Sequence, residues 1–310
     1  MNRPYTFLYD EPVREIFERL PDWCRFPFTG AKEIRHIRFD YAELLSQRLE
    51  REPFHIELFE MKCRKPFQMS YEVNENKYFL FFLLEGNLDF RSTDGFYISH
   101  VRSDFFGISF NRSGTFSIQM PTGRNTAVCV SMDKVWLEFV SEDMPGLGHI
   151  IKAAEKASSP GLVFPYCRMN LRIKTWLKSI YTELRGGAGA VDGLLRLYVS
   201  RTLQVYVDLM RIQIQGIPYR ARTYLDEHYK DTDLAIGDIA AHFEISDRAL
   251  RATYRREFGI GLQEYRTQLR MRDALEMITR GIPVSDVYME VGYNDESTFR
   301  YNYSRFFRKK

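Results

Sequence analysis

The sequence predicts an α+β chain, in which an N-terminal antiparallel β barrel with a helical extension precedes a C-terminal all-α domain. Three observations predict it. Between His55 and Met132, short β-prone runs alternate with turn signals. From Trp136 onward, apolar residues recur at helical spacing. Between Asp238 and Phe307, one two-helix pattern is written twice. With 310 residues, 45% of them hydrophobic, the chain is long enough for two cores. The expected domains are 1–215 and 216–310.

Residues 10–51 are mixed, with helical patches expected at Glu11–Leu20 and Tyr41–Glu50. Eight strands are expected next, at 55–63, 67–73, 77–86, 87–91, 96–101, 105–110, 115–120 and 126–132. Between them stand turn signals such as Gly86-Asn87, Thr93-Asp94-Gly95 and Pro121-Thr122-Gly123. Eight strands so spaced suit a small barrel or a double-sheet jelly roll. Phe79, Phe81, Phe82, Phe90, Phe96, Tyr97, Phe105, Phe106 and Phe110 either wall a pocket there or fill the core. Helices are expected at Leu147–Ala157, Met169–Leu184 and Leu194–Gln215, the last two separated by a turn at Gly186-Gly187-Ala188-Gly189. The stripe Leu195, Tyr198, Val199, Thr202, Val205, Tyr206 and Leu209 fits either the preceding helix or a second copy of the chain. Gly216 to Pro218 marks the domain boundary.

In the duplicated region, Ile236, Ile239, Phe243 and Ser246 align with Val284, Val287, Val291 and Asn294 at an offset of 48. Leu250, Tyr254 and Phe258 align with Phe299, Tyr303 and Phe307 at 49, so the second copy has one extra residue where its second helix starts. Each copy, 236–258 and 284–307, has the grammar of a helix-turn-helix. Ser246 or Asp247 can cap the second helix of the first copy, and Asn294 or Asp295 that of the second. Leu250, Tyr254 and Phe258 step by four and face inward, which turns Arg248, Arg251, Ala252 and Arg255 outward. The matching outward face holds Ser297, Arg300, Tyr301 and Ser304. A helix read into a major groove needs such an apolar back and donor-rich front, because Arg bonds guanine O6 and N7 and Ser or Thr bonds several bases. Residues 261–279 form one helix of about 27 Å, a rod that can set two such helices near the ~34 Å repeat of one DNA face.

The net charge of +3 says little, but its distribution is uneven. Residues 246–272 hold seven Arg against Asp247, Glu257 and Glu264, a surplus of four. Residues 296–310 hold five basic residues against Glu296. Cys24, Cys63, Cys129 and Cys167 are scattered as in a reducing compartment. Neither a signal peptide nor an apolar run of about 20 residues is seen, so a cytoplasmic chain is expected. His55, His100 and His149 stand alone, and no nucleotide-binding or hydrolase motif occurs, which argues against an enzyme, a metal or a cofactor.

Residues 218–307 resemble the DNA-binding domain of the arabinose-regulator (AraC/XylS) family of bacterial transcription factors. The first signature is matched by Ile239-Ala240, Ser246, Leu250, Tyr254, Phe258-Gly259, Tyr265, Arg270 and Ala274. The second is matched by Val291-Gly292-Tyr293, Asp295, Ser297, Phe299, Tyr303 and Phe307. Ala252 and Tyr301 stand where the family commonly has Arg, and Tyr288 where it prefers Ala. The resemblance implies a cupin-like sensor before the DNA reader, a homodimer, and promoter DNA as partner, with RNA polymerase a further candidate. On that reading Arg248, Arg251, Arg255, Ser297, Thr298 and Arg300 are the candidates for base edges, with Tyr301 beside them. The helix N-termini at Ser246 and Asn294, with Arg256, Arg305 and Lys309, are the candidates for phosphates. A small-molecule effector in the barrel is expected, the alternative being an N-terminal domain that only dimerises or docks a protein.

Overall fold

The structure, a computed structural model, describes residues 3–157, 159–184 and 188–307. The chain divides into two compact units, residues 1–92 with 100–212, and residues 93–99 with 213–310.

The first unit opens with β1 (Tyr5–Leu8), β2 (Glu15–Phe17), β3 (Glu33–Arg38) and β4 (Ala42–Arg51). The eight expected strands follow as β5 (Phe54–Cys63), β6 (Phe67–Val73), β7 (Lys77–Glu85), β8 (Asn87–Ser92), β9 (Tyr97–Arg102), β10 (Phe105–Asn111), β11 (Gly114–Met120) and β12 (Gly123–Met132). Then come α1 (Lys134–Ser141), α2 (Pro145–Lys156), the short strands β13 (Gly161–Val163) and β14 (Cys167–Arg168), α3 (Leu171–Thr182) and α4 (Ala188–Gln213). Of the expected Gly186–Gly189 turn, residues 186 and 187 lie outside the described residues, and Ala188 and Gly189 already belong to α4.

The strands make two antiparallel sheets and do not close into one barrel. One sheet runs β1-β6-β11-β8-β9, and the other β13-β10-β7-β12-β5-β4-β3-β2 with β14 also paired to β10. Aromatic rings fill the space between them. Phe7 meets Phe59 with centroids 5.3 Å apart, and Phe81 meets Phe90 at 5.6 Å. The helices cover the other face of the larger sheet, where Phe54 packs on Trp136 at 4.6 Å and Phe106 on Tyr206 at 5.6 Å. β7 is therefore covered on both faces, which is why it reads as an unbroken apolar run. The expected aromatic wall is divided by this alternation. Phe79, Phe81, Phe90 and Phe105 lie between the sheets, Phe82, Phe106 and Phe110 lie under the helices, and Phe96 and Tyr97 group with the second unit.

Neither helical patch expected before residue 51 is helical. Glu15–Phe17 is β2, and 41–50 falls almost wholly within β4, which sits between β3 and β5. In AELLSQRLE, good helix formers gave the wrong period, because its polar residues are not a solvated face. Gln47 accepts from the Phe28 N–H at 2.7 Å and donates to the Phe26 carbonyl at 2.9 Å. Arg48 Nε lies 2.5 Å from Glu57 Oε1. Glu57, 0% exposed, also accepts from the hydroxyls of Tyr5 (2.6 Å) and Ser46. Pairing inside the unit makes burial of these groups tolerable.

On α4, Leu195, Val199, Thr202 and Tyr206 are buried in the unit's own core, with Tyr198, Val205 and Leu209 packed against it. The stripe is thus used within one chain.

The second unit contains α5 (Ile217–His228), α6 (Ile236–His242), α7 (Asp247–Phe258), α8 (Leu262–Thr279), α9 (Val284–Glu290) and α10 (Glu296–Phe307). α8 is the single helix expected between the copies, ended by Gly281 in left-handed backbone at φ 87°. One apolar cluster joins α5, α6 and α7 to the start of α8, and another joins the end of α8 to α9 and α10. Among residues 93–99, Phe96 packs on Phe306 at 5.0 Å, and the Tyr97 N–H donates to Gln268 Oε1 at 2.9 Å.

Candidate nucleic-acid interface

Each copy anchors its second helix by burying rings. Leu250, Tyr254 and Phe299 are 0% exposed and Phe258 is nearly buried, while Tyr303 and Phe307 are half-buried. Below them, Ile239 of α6 and its equivalent Val287 of α9 are fully buried, with Ile236 beside the first and Val291 beside the second. Tyr288 does not turn outward; it is half-buried and packs into the second cluster.

The turns are related but not identical. Glu244 and Gly292, 48 residues apart, both hold left-handed backbone, at φ 55° and 86°. Glycine is required only in the second, where a Cβ would stand 2.3 Å from the Lys230 carbonyl oxygen. Ser246 caps α7 by accepting from the Ala249 N–H at 3.2 Å. In the second copy Asp295, not Asn294, takes that role, accepting from the Thr298 N–H at 2.7 Å, and this N–H holds its carboxyl below the ordinary value. Asn294 is exposed in the turn, so the inserted residue lies in the turn ahead of the cap.

With the backs anchored, the fronts face solvent. Arg248, Arg251, Arg255 and Arg256 on α7 are exposed, as are Ser297, Thr298, Arg300, Tyr301 and Arg305 on α10. Lys309 lies outside the described residues. Sequence reasoning missed an ion pair repeated in both helices. Arg251 Nε lies 2.8 Å from Asp247 Oδ1, and Arg300 Nε lies 2.6 Å from Glu296 Oε1, equivalent positions 49 apart. The acid four residues before each Arg was the available signal. These pairs hold the two guanidiniums extended along the helix, whereas Arg248 and Arg255 make no ion pair among the described residues.

The charge surplus counted in sequence is only partly a surface property. Arg266 and Arg270 on α8 are nearly buried and donate to backbone carbonyls, so they contribute structure more than external potential.

Residues 239–310 match a family described as a helix-turn-helix domain. The C-terminal segment is a helix-turn-helix domain. No curated protein matches the chain by sequence. Among solved structures, this chain is similar to the C-terminal domain of AraT, a response regulator from Geobacillus stearothermophilus, at 24% identity over 31% of this chain and 86% of that one (TM-score 0.28). It is similar to ToxT from Vibrio cholerae at 11% identity over 82% and 94% (TM-score 0.31). It is similar to the AraC-like transcriptional activator CuxR at 15% identity over 89% and 91% (TM-score 0.34). Among the described residues, no helix is long and apolar enough to cross a membrane, and no group of three or more His, Cys, Asp or Glu could hold a metal ion.

Proposed function

We propose that the chain is a one-component transcription regulator, in which the N-terminal unit senses a small-molecule effector and both AraC-type helix-turn-helix motifs read one face of promoter DNA. The observation that carries the DNA half of this reading is the paired arrangement of α7 and α10, each with buried rings behind and Arg, Ser or Thr in front. Arg248, Arg251, Arg255, Ser297, Thr298 and Arg300 are assigned to base edges, with Tyr301 on the same face. Arg256, Arg305, Lys309 and the N-termini at Ser246 and Asn294 are assigned to phosphates. A carboxylate of the Asp247–Arg251 pair brought into the groove can also accept from cytosine N4.

Arg251→Ala is expected to weaken specific binding by about 1 to 3 kcal/mol and to relax preference at one base position. Arg256→Ala should instead weaken binding evenly across sequences and lower the salt slope by about one. Fluorescence anisotropy on a base-substitution panel at several salt concentrations measures both. Arg251→Ala with unchanged affinity and unchanged preference would remove α7 from the base-reading role.

A second reading, in which the N-terminal unit binds no small ligand and serves dimerisation or a protein partner, has one observation in its favour. Glu57 is held by Arg48, Ser46 and Tyr5 between the sheets, with aromatic rings around them, while Arg48 Nη1 is left without a hydrogen bond among the described residues. A thermal-shift screen separates the two, since a ligand that binds only the folded unit raises its midpoint.

A further inference from the structure

In the C-terminal unit, the loop Tyr229–Leu234 between α5 and α6 is held by groups from two places, α8 and the second helix-turn-helix. Arg266 Nε donates to the Tyr229 carbonyl at 3.0 Å, its Nη1 to the Leu234 carbonyl at 2.7 Å, and its Nη2 to the Asp231 carbonyl. One turn further along α8, Arg270 Nε donates to the Tyr229 carbonyl at 2.7 Å and Nη2 to the Asp231 carbonyl at 3.3 Å. Asp273, the next residue on that face, accepts from the Tyr229 hydroxyl and pairs with Lys230 Nζ at 2.8 Å. From the second helix-turn-helix, Gly292 backs against the Lys230 carbonyl, and the Tyr293 ring lies 5.1 Å from the Arg270 guanidinium. The loop's far end leads directly into α6 of the first motif.

Two neighbouring guanidiniums buried mainly against backbone carbonyls, with no carboxylate hydrogen-bonded to either among the described residues, are costly to keep charged. Burial, with Arg266 nearby, pushes Arg270 down to about 10. The planar fork of Arg bonds several carbonyls only when they hold fixed directions, so the arrangement is sensitive to small movements of the loop. Without this loop, the two motifs would be joined chiefly through α8, and α9 with α10 could pivot about its end.

We infer that the 229–234 loop, clamped by Arg266 and Arg270 and backed by Gly292, fixes the separation and rotation of α7 relative to α10, and thereby sets the spacing of the two DNA half-sites the chain accepts. Arg270 is a positioning residue that touches no DNA. The inference rests on the reading that both motifs engage one duplex.

The test uses the full chain and a duplex it selects from a random-sequence library, remade with one or two base pairs inserted or removed between the footprinted half-sites. Wild type is expected to lose at least about tenfold on a one-pair change. Arg270→Met should lose less than about threefold, while discrimination within each half-site stays as in wild type. Asp273→Ala, at a half-exposed site less prone to unfold the domain, should shift in the same direction by a smaller factor. As a second readout, spin labels at Ala252→Cys and Tyr301→Cys in a Cys24→Ser background report the inter-helix distance. A narrow distribution in wild type that broadens in Arg270→Met supports the clamp. A spacing ratio and a distribution unchanged in folded Arg270→Met overturn it. A wild type that discriminates bases in both half-sites yet ignores spacing also overturns it and leaves the DNA reading intact. A footprint confined to one half-site would overturn that reading and the inference with it.

Discussion

Phe299→Ala is expected to destabilise the second helix-turn-helix by about 3 to 5 kcal/mol, enough to leave α9 and α10 largely unfolded in a domain of ordinary stability. Phe299 is fully buried, with Tyr293 at 5.5 Å and Tyr303 at 5.6 Å, and it closes the cluster formed with Met271, Ala274, Val287 and Val291. Removing the ring loses its transfer free energy and leaves a cavity that α8, α9 and α10 together must collapse to fill. Hydrogen exchange of the intact chain should show loss of protection in residues 284–307, with β4, β5 and β12 unaffected. Wild-type protection in α10 would mean that this ring does not anchor the helix.

Arg48→Met is expected to cost the N-terminal unit about 3 to 5 kcal/mol near neutral pH, because it leaves the Glu57 carboxylate buried without its cation. Burial by itself raises the Glu57 pKa, but His55, Arg48, Ser46 and Tyr5 outweigh it and hold the group below its ordinary value of 4.5. A depressed carboxylate stabilises the fold above its unfolded pKa, and that contribution is lost as pH falls through the folded one. In Arg48→Met the burial effect is no longer opposed by the guanidinium, so Glu57 takes up a proton at higher pH. The gap between variant and wild type should therefore shrink between pH 7.5 and pH 5. Urea unfolding followed by tryptophan fluorescence at both values measures it, and a gap that stays constant or widens would show that Glu57 does not carry the effect.

The strands from 54 to 132 were legible because Gly, Asn, Asp or Pro marks each reversal, and the C-terminal helices because an apolar period of three and four survives in both copies. The faces to which side chains point were less legible. Phe81 and Phe82 are neighbours in sequence, but one lies between the sheets and the other under the helices, a difference set by the pairing of β7 with β10 and β12. At the interface, the outward positions of Arg248, Arg251, Arg255, Ser297 and Arg300 followed from helical pitch once Leu250 and Phe299 were placed inside. Pitch did not decide between Asn294 and Asp295 as the cap, because that depends on where the extra residue of the turn is accommodated. Nor did a count of basic residues separate exposed Arg255 from Arg266, which the loop carbonyls draw inward.

The composition of β4 bears on how the chain acquires its shape. Ala42 to Arg51 is rich in Leu, Glu, Gln and Arg, residues that in isolation sample helical turns within about a microsecond. That transient preference must be abandoned when Leu49 to Glu43 pair with Ile56 to Lys62. Because this partner is the very next strand, the correction needs only a local ribbon to close, whereas β12 has to return across some sixty residues to flank the other side of β5. Closing that ribbon as soon as β5 is made leaves the helix-prone segment only briefly open to wrong partners during synthesis.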